Sequence, residues 1–402
     1  RDGPERMYGV DLDAFAWLLT DPGQALLARA VALGGEDALK AQSTLRREFP
    51  DVPAPYVAVA TSQAELRRRG VAKFGDLAVR MYFTPDGLEQ ATRLTVAEHR
   101  AARLVAFGAG SAIDLGCGVG GDLIALARAG ITAAGVDLDP ERVAVARANL
   151  AALGLPGAVS VADATAVDHG AFDVAFADPA RRGARGRVMD AEGWMPPWPF
   201  VLGLLARDAC VKVAPGIPHE LIPDGVEAEF VSDHGEVKEA ALWAGRLATV
   251  RRRATVIGDG GLATLTDEDP STGSGPESVR ALGEFLYEPD GAVIRAGLVT
   301  AVAAGVGGGL LDAQIAYVTS DASFHTPFAR GYRVLEELPY RERALRAALR
   351  ERGVGRLTIK KRGVAVVPEE LRRRLSLQGP NEATIVLTRV ADEGTCLLVQ
   401  PF

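Results

Sequence analysis

AIDLGCGVGGDL, residues 112–123, is the stretch that decides the fold. A short apolar strand closes on Asp114. Gly116, Gly118 and Gly120 then let the chain turn tightly and bring its backbone close to a ligand. A helix opening at Asp122 aims its N-terminal amides at that ligand. Glycines in this rhythm also occur in dinucleotide sites. Asp114 points away from those sites, because a carboxylate directly before the glycines opposes a pyrophosphate. It suits a ligand that carries a cationic amino-acid group, met through the loop or through water.

Outward from this stretch, apolar strands alternate with helices: AAGVD, a helix from Pro140 capped by Asp139, VSVA, FDVAFA and ACVKVA. Such alternation implies a doubly wound α/β parallel sheet covered on both faces. Acids recur at the strand ends. Asp137 closes the second strand, where it could accept from two ribose hydroxyls. Asp163 follows the third, where it could accept from an adenine amino group, and Asp178 follows the fourth. In an open α/β sheet all of these face one crevice. Turn glycines and capping acids could produce one such match, but four in register favour a site.

The rest of the chain divides by pattern. Residues 1–94 read as a mainly helical region, 95–257 as the ligand-binding domain, 258–280 as a linker or flexible loop, and 281–402 as a third, α+β unit. Segments 226–231, 240–245 and 253–257 are expected to close the sheet with an antiparallel edge. TIVLTRV and TCLLVQPF read as a hairpin about a DEG turn. WMPPWPF (194–200) either covers a substrate pocket or packs as a loop.

Three scattered cysteines exclude a disulfide framework or a zinc cluster and fit a reducing, cytoplasmic setting. No metal site is expected. The opening RDGPERMYG lacks the apolar core of a signal peptide, and Met7 reads as nearer the natural start. No apolar run is long enough for a membrane span. The net charge of −7 conceals an asymmetry. Residues 330–390 hold 15 Lys and Arg against 7 Asp and Glu, while the remainder holds 30 against 45. A basic recognition module on an acidic enzyme has this distribution, and so has a solvated, arginine-rich helix face.

DLGCGVGGD, GVDLDP, ADA (162–164) and DPARR (178–182) together resemble the motifs of a class I S-adenosylmethionine (SAM)-dependent methyltransferase. The resemblance implies that Asp114, Gly116, Gly118, Gly120, Asp137, Leu138, Asp163 and Ala164 bind SAM. It places Asp178 and Arg181 at the acceptor. Asp178 would be a hydrogen-bond acceptor or general base for a nucleobase nitrogen, and Arg181 and Arg182 would hold a phosphate or stack on the base. Arg181 as a helix cap or ion-pair partner is an equal alternative. No aromatic residue follows Pro179, unlike the motif associated with exocyclic amino groups. No cysteine follows the fifth strand, which disfavours uridine C5 methylation through a covalent adduct.

The stretch 334–377, with FLYEPDGAVIRAGL (285–298), resembles the C-terminal THUMP-like domain fused to a family of bacterial SAM methyltransferases. That resemblance implies an RNA partner, transfer or ribosomal. Charge placement assigns its contacts to Lys360, Lys361 and Arg362, consecutive at a strand–turn junction, with Arg182 of DPARR beside the acceptor. The alternative is a small-molecule or protein substrate, with the third unit as a lid or dimerisation domain. The sequence leaves the oligomeric state open.

Overall fold

The structure, a computed structural model, describes residues 10–35, 37–181, 194–273 and 275–402. It forms two compact units: residues 1–213 with 243–247, and residues 214–242 with 248–402. The expected ligand-binding domain, 95–257, is thus divided after residue 213.

The first unit opens with helices α1 (Leu12–Leu18), α2 (Asp21–Ala32), α3 (Ala38–Glu48), α4 (Ala54–Phe74), α5 (Pro85–Gln90) and α6 (Leu94–Phe107). Local chemistry sets their starts. The Asp11 carboxylate accepts the Asp13 and Ala14 amides, and the Thr84 hydroxyl accepts that of Gly87. The apolar faces of the helices meet around Leu18, Leu26, Leu27, Leu45, Val57 and Phe74, all buried. The sheet follows: β1 (Ser111–Leu115), α7 (Gly121–Arg128), β2 (Thr132–Asp137), α8 (Pro140–Ala152), β3 (Ala158–Val161) and β4 (Val174–Ala177). A short pair, β5 (Ala180–Arg181) with β6 (Trp194–Met195), precedes α9 (Trp198–Leu204) and β7 (Ala209–Val213). The parallel strands are ordered β7-β4-β1-β2-β3. Every residue of β4 is buried, as a sheet covered on both faces requires. The order reverses at β1, which opens a crevice beyond the carboxyl ends of β1 and β4. As expected, Asp139 caps α8 with Pro140 in its first turn.

Two buried amides join the N-terminal helices to this sheet. Asn149 of α8 accepts the Tyr82 N–H (2.6 Å) and donates to the carbonyls of Tyr82 (3.0 Å) and Val119 (2.8 Å). Gln63 of α4 treats Phe83 in the same way, accepting its N–H at 3.0 Å and donating to its carbonyl at 2.7 Å.

The second unit holds strands β8 (Glu227–Asp233), β9 (Glu236–Ala244), β10 (Arg252–Gly258) and β11 (Gly261–Thr266), in the order β11-β10-β8-β9. β10 runs parallel to β8, and only β11 is its antiparallel neighbour. The stretch 258–280, expected to be a linker, therefore contributes a strand. β12 (Phe285–Pro289), α10 (Gly291–Ala296), α11 (Val299–Gly305), β13 (Gly309–Asp312), β14 (Ile315–Ser320) and β15 (Ala329–Leu338) come next. α12 (Glu342–Glu351), β16 (Val354–Lys361), α13 (Pro368–Leu375), β17 (Asn381–Val390) and β18 (Glu393–Pro401) complete the unit. Seven strands form one sheet, ordered β13-β14-β12-β15-β18-β17-β16. β16 and β17 are parallel and α13 connects them, as a parallel pair demands. Leu345, Leu349, Leu371 and Leu375 seat both helices on Ile359, Ile385 and Leu387. The β17–β18 hairpin turns on Ala391 and Asp392, both with positive φ (49° and 64°), one step earlier than DEG suggests.

Asn149→Ala should lower the unfolding free energy by roughly 2–4 kcal/mol, because it strands buried groups that each cost about 1–3 kcal/mol. Urea denaturation followed by tryptophan fluorescence measures this. A loss under about 1 kcal/mol would mean that water replaces the amide.

Candidate cofactor and acceptor site

Beyond the ends of β1 and β4 lies a cavity of about 760 Å³, lined entirely by first-unit residues. Its floor is the glycine loop. Gly116, Gly118 and Gly120 all have positive φ (107°, 54° and 90°), conformations that only glycine adopts without strain. Gly116 and Gly118 face the cavity. Gly120 does not line it. Its missing Cβ would point at Ala146 of α8, 3.3 Å away, so this glycine seats the loop on that helix.

The strand-end acids meet here. Asp137 spans the loop, its carboxylate accepting the Gly118 N–H and the Asp139 N–H, each at 3.0 Å. Its oxygens retain lone pairs for a diol. Leu138 also lines the cavity and is half exposed, offering an apolar surface to a flat ring. Asp163 and Ala164 line the same end. The Asp163 carboxyl is held below its usual range by the Thr165 hydroxyl and amide it accepts from.

Asp114 lies beneath the loop rather than in the cavity wall. It is buried, and its Oδ1 has no hydrogen-bond partner among the described residues. Burial first, then the neighbouring Asp122 and Asp178, push its carboxyl well above the ordinary value. Asp122 pairs in turn with the buried Arg100, whose guanidinium lies over the Phe176 ring, 4.4 Å from its centre. A buried acid whose Oδ1 has no hydrogen-bond partner among the described residues, together with a cavity lined by Asp122, Asp137, Asp139, Asp163 and Asp178, fits a cationic ligand. The donor set thus fits SAM, whose ammonium and sulfonium charges these acids would meet. Any contact from Asp114 would run through the loop.

Asp178 lines the cavity and forms an ion pair with Lys212 of β7 (2.8 Å). Lys212 also donates to the Thr92 hydroxyl (3.1 Å). Sequence reasoning missed Lys212, although one lysine inside the otherwise apolar ACVKV was a usable signal. The segment after α4, whose LEQAT (88–92) carries part of the family resemblance, was not placed among the site residues. Gly87, Gln90, Ala91 and Thr92 line the cavity, and the Lys73 ammonium holds them by donating to the carbonyls of Leu88, Glu89 and Ala91. Pro196 and Pro197 of WMPPWPF line the cavity too. Arg181 is described only in its backbone, within β5, and Arg182 lies outside the described residues. All three cysteines are buried, and burial drives the Cys117 thiol upward.

In the second unit, Lys360 and Lys361 end β16 and carry no ion pair among the described residues. Arg362 is different: half buried, it stacks over the Tyr317 ring, 5.6 Å from its centre, which gives it a packing role. Much of the basic stretch is neutralised locally, through Arg352–Glu336, Arg356–Glu382, Arg372–Glu369 and Arg374–Glu342. Among the described residues no cluster of side chains could hold a metal ion, and no helix is long and apolar enough to cross a membrane.

Fold and site together define a class I SAM-dependent methyltransferase. Residues 112–180 match the methyltransferase domain family, residues 329–401 the THUMP domain-like family, and residues 11–70 a domain family of unknown function. An uncharacterized SAM-dependent methyltransferase of Mycobacterium tuberculosis is 39% identical over 360 residues, covering 86% of this chain and 95% of its own. A crystal structure from Porphyromonas gingivalis W83, described as a candidate methyltransferase, shares the fold. Its TM-score is 0.73 at 23% identity, over 94% of this chain and 98% of that one. The chain belongs to the bacterial SAM-dependent methyltransferases that carry a THUMP-like domain. Its cofactor is SAM.

Asp137→Ala should weaken SAM binding ten- to hundred-fold, as expected for a missing charged hydrogen-bond pair worth about 1.5–3 kcal/mol. Calorimetric titration tests this, and parental affinity would remove Asp137 from the site. Asp114 gives a prediction with a pH sign. Its carboxyl is raised in the folded state, so the cofactor-free protein loses stability as pH climbs from about 4, the unfolded value, through the folded one. Asp114→Asn should therefore be more resistant to urea than the parent at pH 7, with the gap closing toward pH 4, while SAM affinity falls.

Proposed function

We propose that this methyltransferase acts in the cytoplasm on a nucleobase nitrogen of transfer or ribosomal RNA. When bound, SAM supplies a methyl group on a positively charged sulfur. The protein's own residues then have two tasks. Asp137, Leu138, Asp163 and Ala164 would hold the nucleoside half of the cofactor, leaving the Asp178 end of the cavity for the acceptor. Asp178 would accept a hydrogen bond or a proton from the acceptor nitrogen, and Arg181 and Arg182 would hold a phosphate or stack on the base. Catalysis would rest mainly on alignment, which suits a cavity built on strand ends.

The RNA half of the reading is carried by one observation: a THUMP-like unit presenting two adjacent lysines, Lys360 and Lys361, that no acid neutralises among the described residues. Several arginines of the same stretch, Arg356, Arg372 and Arg374 among them, pair with its glutamates, and its balance of 15 basic against 7 acidic residues stands. Arg362, partly exposed over the Tyr317 ring, would add a third cation beside the two lysines.

Changing Lys360 and Lys361 together to Glu should weaken RNA binding across sequences and reduce the salt slope by about 1 for each phosphate that the protein ceases to neutralise. SAM affinity should stay at the parental level. Anisotropy titrations with transfer RNA at several salt concentrations measure both quantities. Parental RNA affinity and slope would favour the alternative, a small-molecule or protein substrate with this unit as a lid or dimerisation domain.

A further inference from the structure

The strand order gives the cavity two chemically different halves. On one side of β1, after β2 and β3, stand Asp137 and Asp163. On the other side, after β4 and within β7, stand Asp178 and Lys212, a carboxylate and an ammonium 2.8 Å apart. Both side chains retain solvent access, 32% and 17%, and both line the cavity. Lys212 is steered by a second contact, to the Thr92 hydroxyl, so its position depends on the segment that Lys73, Asn149 and Gln63 hold in place.

From this pairing we infer that the acceptor is a lactam-type ring nitrogen, such as guanine N1 or uracil N3. Lys212 holds the neighbouring carbonyl oxygen, and Asp178 takes the ring proton. The inference rests on the nucleobase reading above and narrows it. A lactam nitrogen bears a hydrogen beside a carbonyl. As that N–H bond weakens, negative charge spreads to the carbonyl oxygen, and an ammonium next to the base stabilises it. An exocyclic amine, or the N1 lone pair of adenine, instead gains positive charge as it is methylated. A fixed ammonium beside either would oppose the reaction. The balance closes without a further reactant. The ring proton passes to the Asp178 carboxylate, and the freed nitrogen pair forms the new N–CH3 bond. The carbon–sulfur pair stays on the sulfur of the departing SAM product. Lysine suits this role, since a compact ammonium can address a carboxylate, a hydroxyl and a carbonyl that do not share a plane, unlike the flat guanidinium fork.

The full-length protein, tritium-labelled SAM and total RNA from cells lacking the gene provide the test, with nucleosides identified by mass spectrometry. The expected product is 1-methylguanosine or 3-methyluridine. Lys212→Met should lower turnover roughly 100-fold, the scale of losing one charge-stabilising donor. Calorimetry should give it a SAM affinity near the parent's. An amino-methylated nucleoside or 1-methyladenosine would overturn the inference and leave the nucleobase reading standing. Label in protein or small molecules, with none in RNA, would overturn both. Parental turnover in Lys212→Met would remove Lys212 from the chemistry. The product is read on the parent protein, so the inference stays exposed to failure even if the variant does not fold.

Discussion

Two buried side-chain amides hold the segment on which the active cavity depends. Asn149 and Gln63 each read one peptide, Tyr82 and Phe83, by accepting its N–H and donating to its carbonyl. A backbone in that position would otherwise have to carry unpaired donors and acceptors into the core. The amides thus fix the chain at residues 82–83, and α5 and Thr92 follow from there along the cavity wall. Asn149 also bonds the Val119 carbonyl, so the same side chain that anchors the N-terminal helices anchors the glycine loop. The helical region is therefore part of the site's wall.

Electrostatics is the second constraint. The sheet topology gathers acids that lie far apart in sequence into and beneath a single cavity, and Asp114, pushed upward first by its burial and then by Asp122 and Asp178, registers both effects. Arg100 offsets part of this at Asp122, and Lys212 does so at Asp178. A cationic cofactor relieves what remains. Such a cavity is costly when empty and selective when filled, because a pyrophosphate-bearing dinucleotide would add to the repulsion instead of relieving it.

In the THUMP-like unit, packing and pairing sort the basic residues. Leu371 and Leu375 bury one face of α13, and Arg372 and Arg374 turn to Glu369 and Glu342. These glutamates belong to the same stretch, so pairing fixes where the arginines sit while the balance of 15 against 7 stands.

The sequence by itself determined the parallel α/β core, the glycine loop and the strand-end acids, together with the cofactor they imply. These are set by short-range rules: strand–helix alternation, positive φ at Gly116, Gly118 and Gly120, and one acid after each strand. It also placed the hairpin near the end of the chain, though not its turn, since φ > 0 at Ala391 and Asp392 is a feature of non-glycine residues that composition does not signal. Only the tertiary structure decided which of these residues face the cavity. Asp114 and Gly120 sit behind the loop, because one is buried beneath it and the other packs on Ala146. Lys212 meets Asp178 and Thr92 across separations of 34 and 120 residues, and no local pattern encodes contacts of that range. Arg362 likewise meets the Tyr317 ring, from a different strand, a contact that no local pattern encodes.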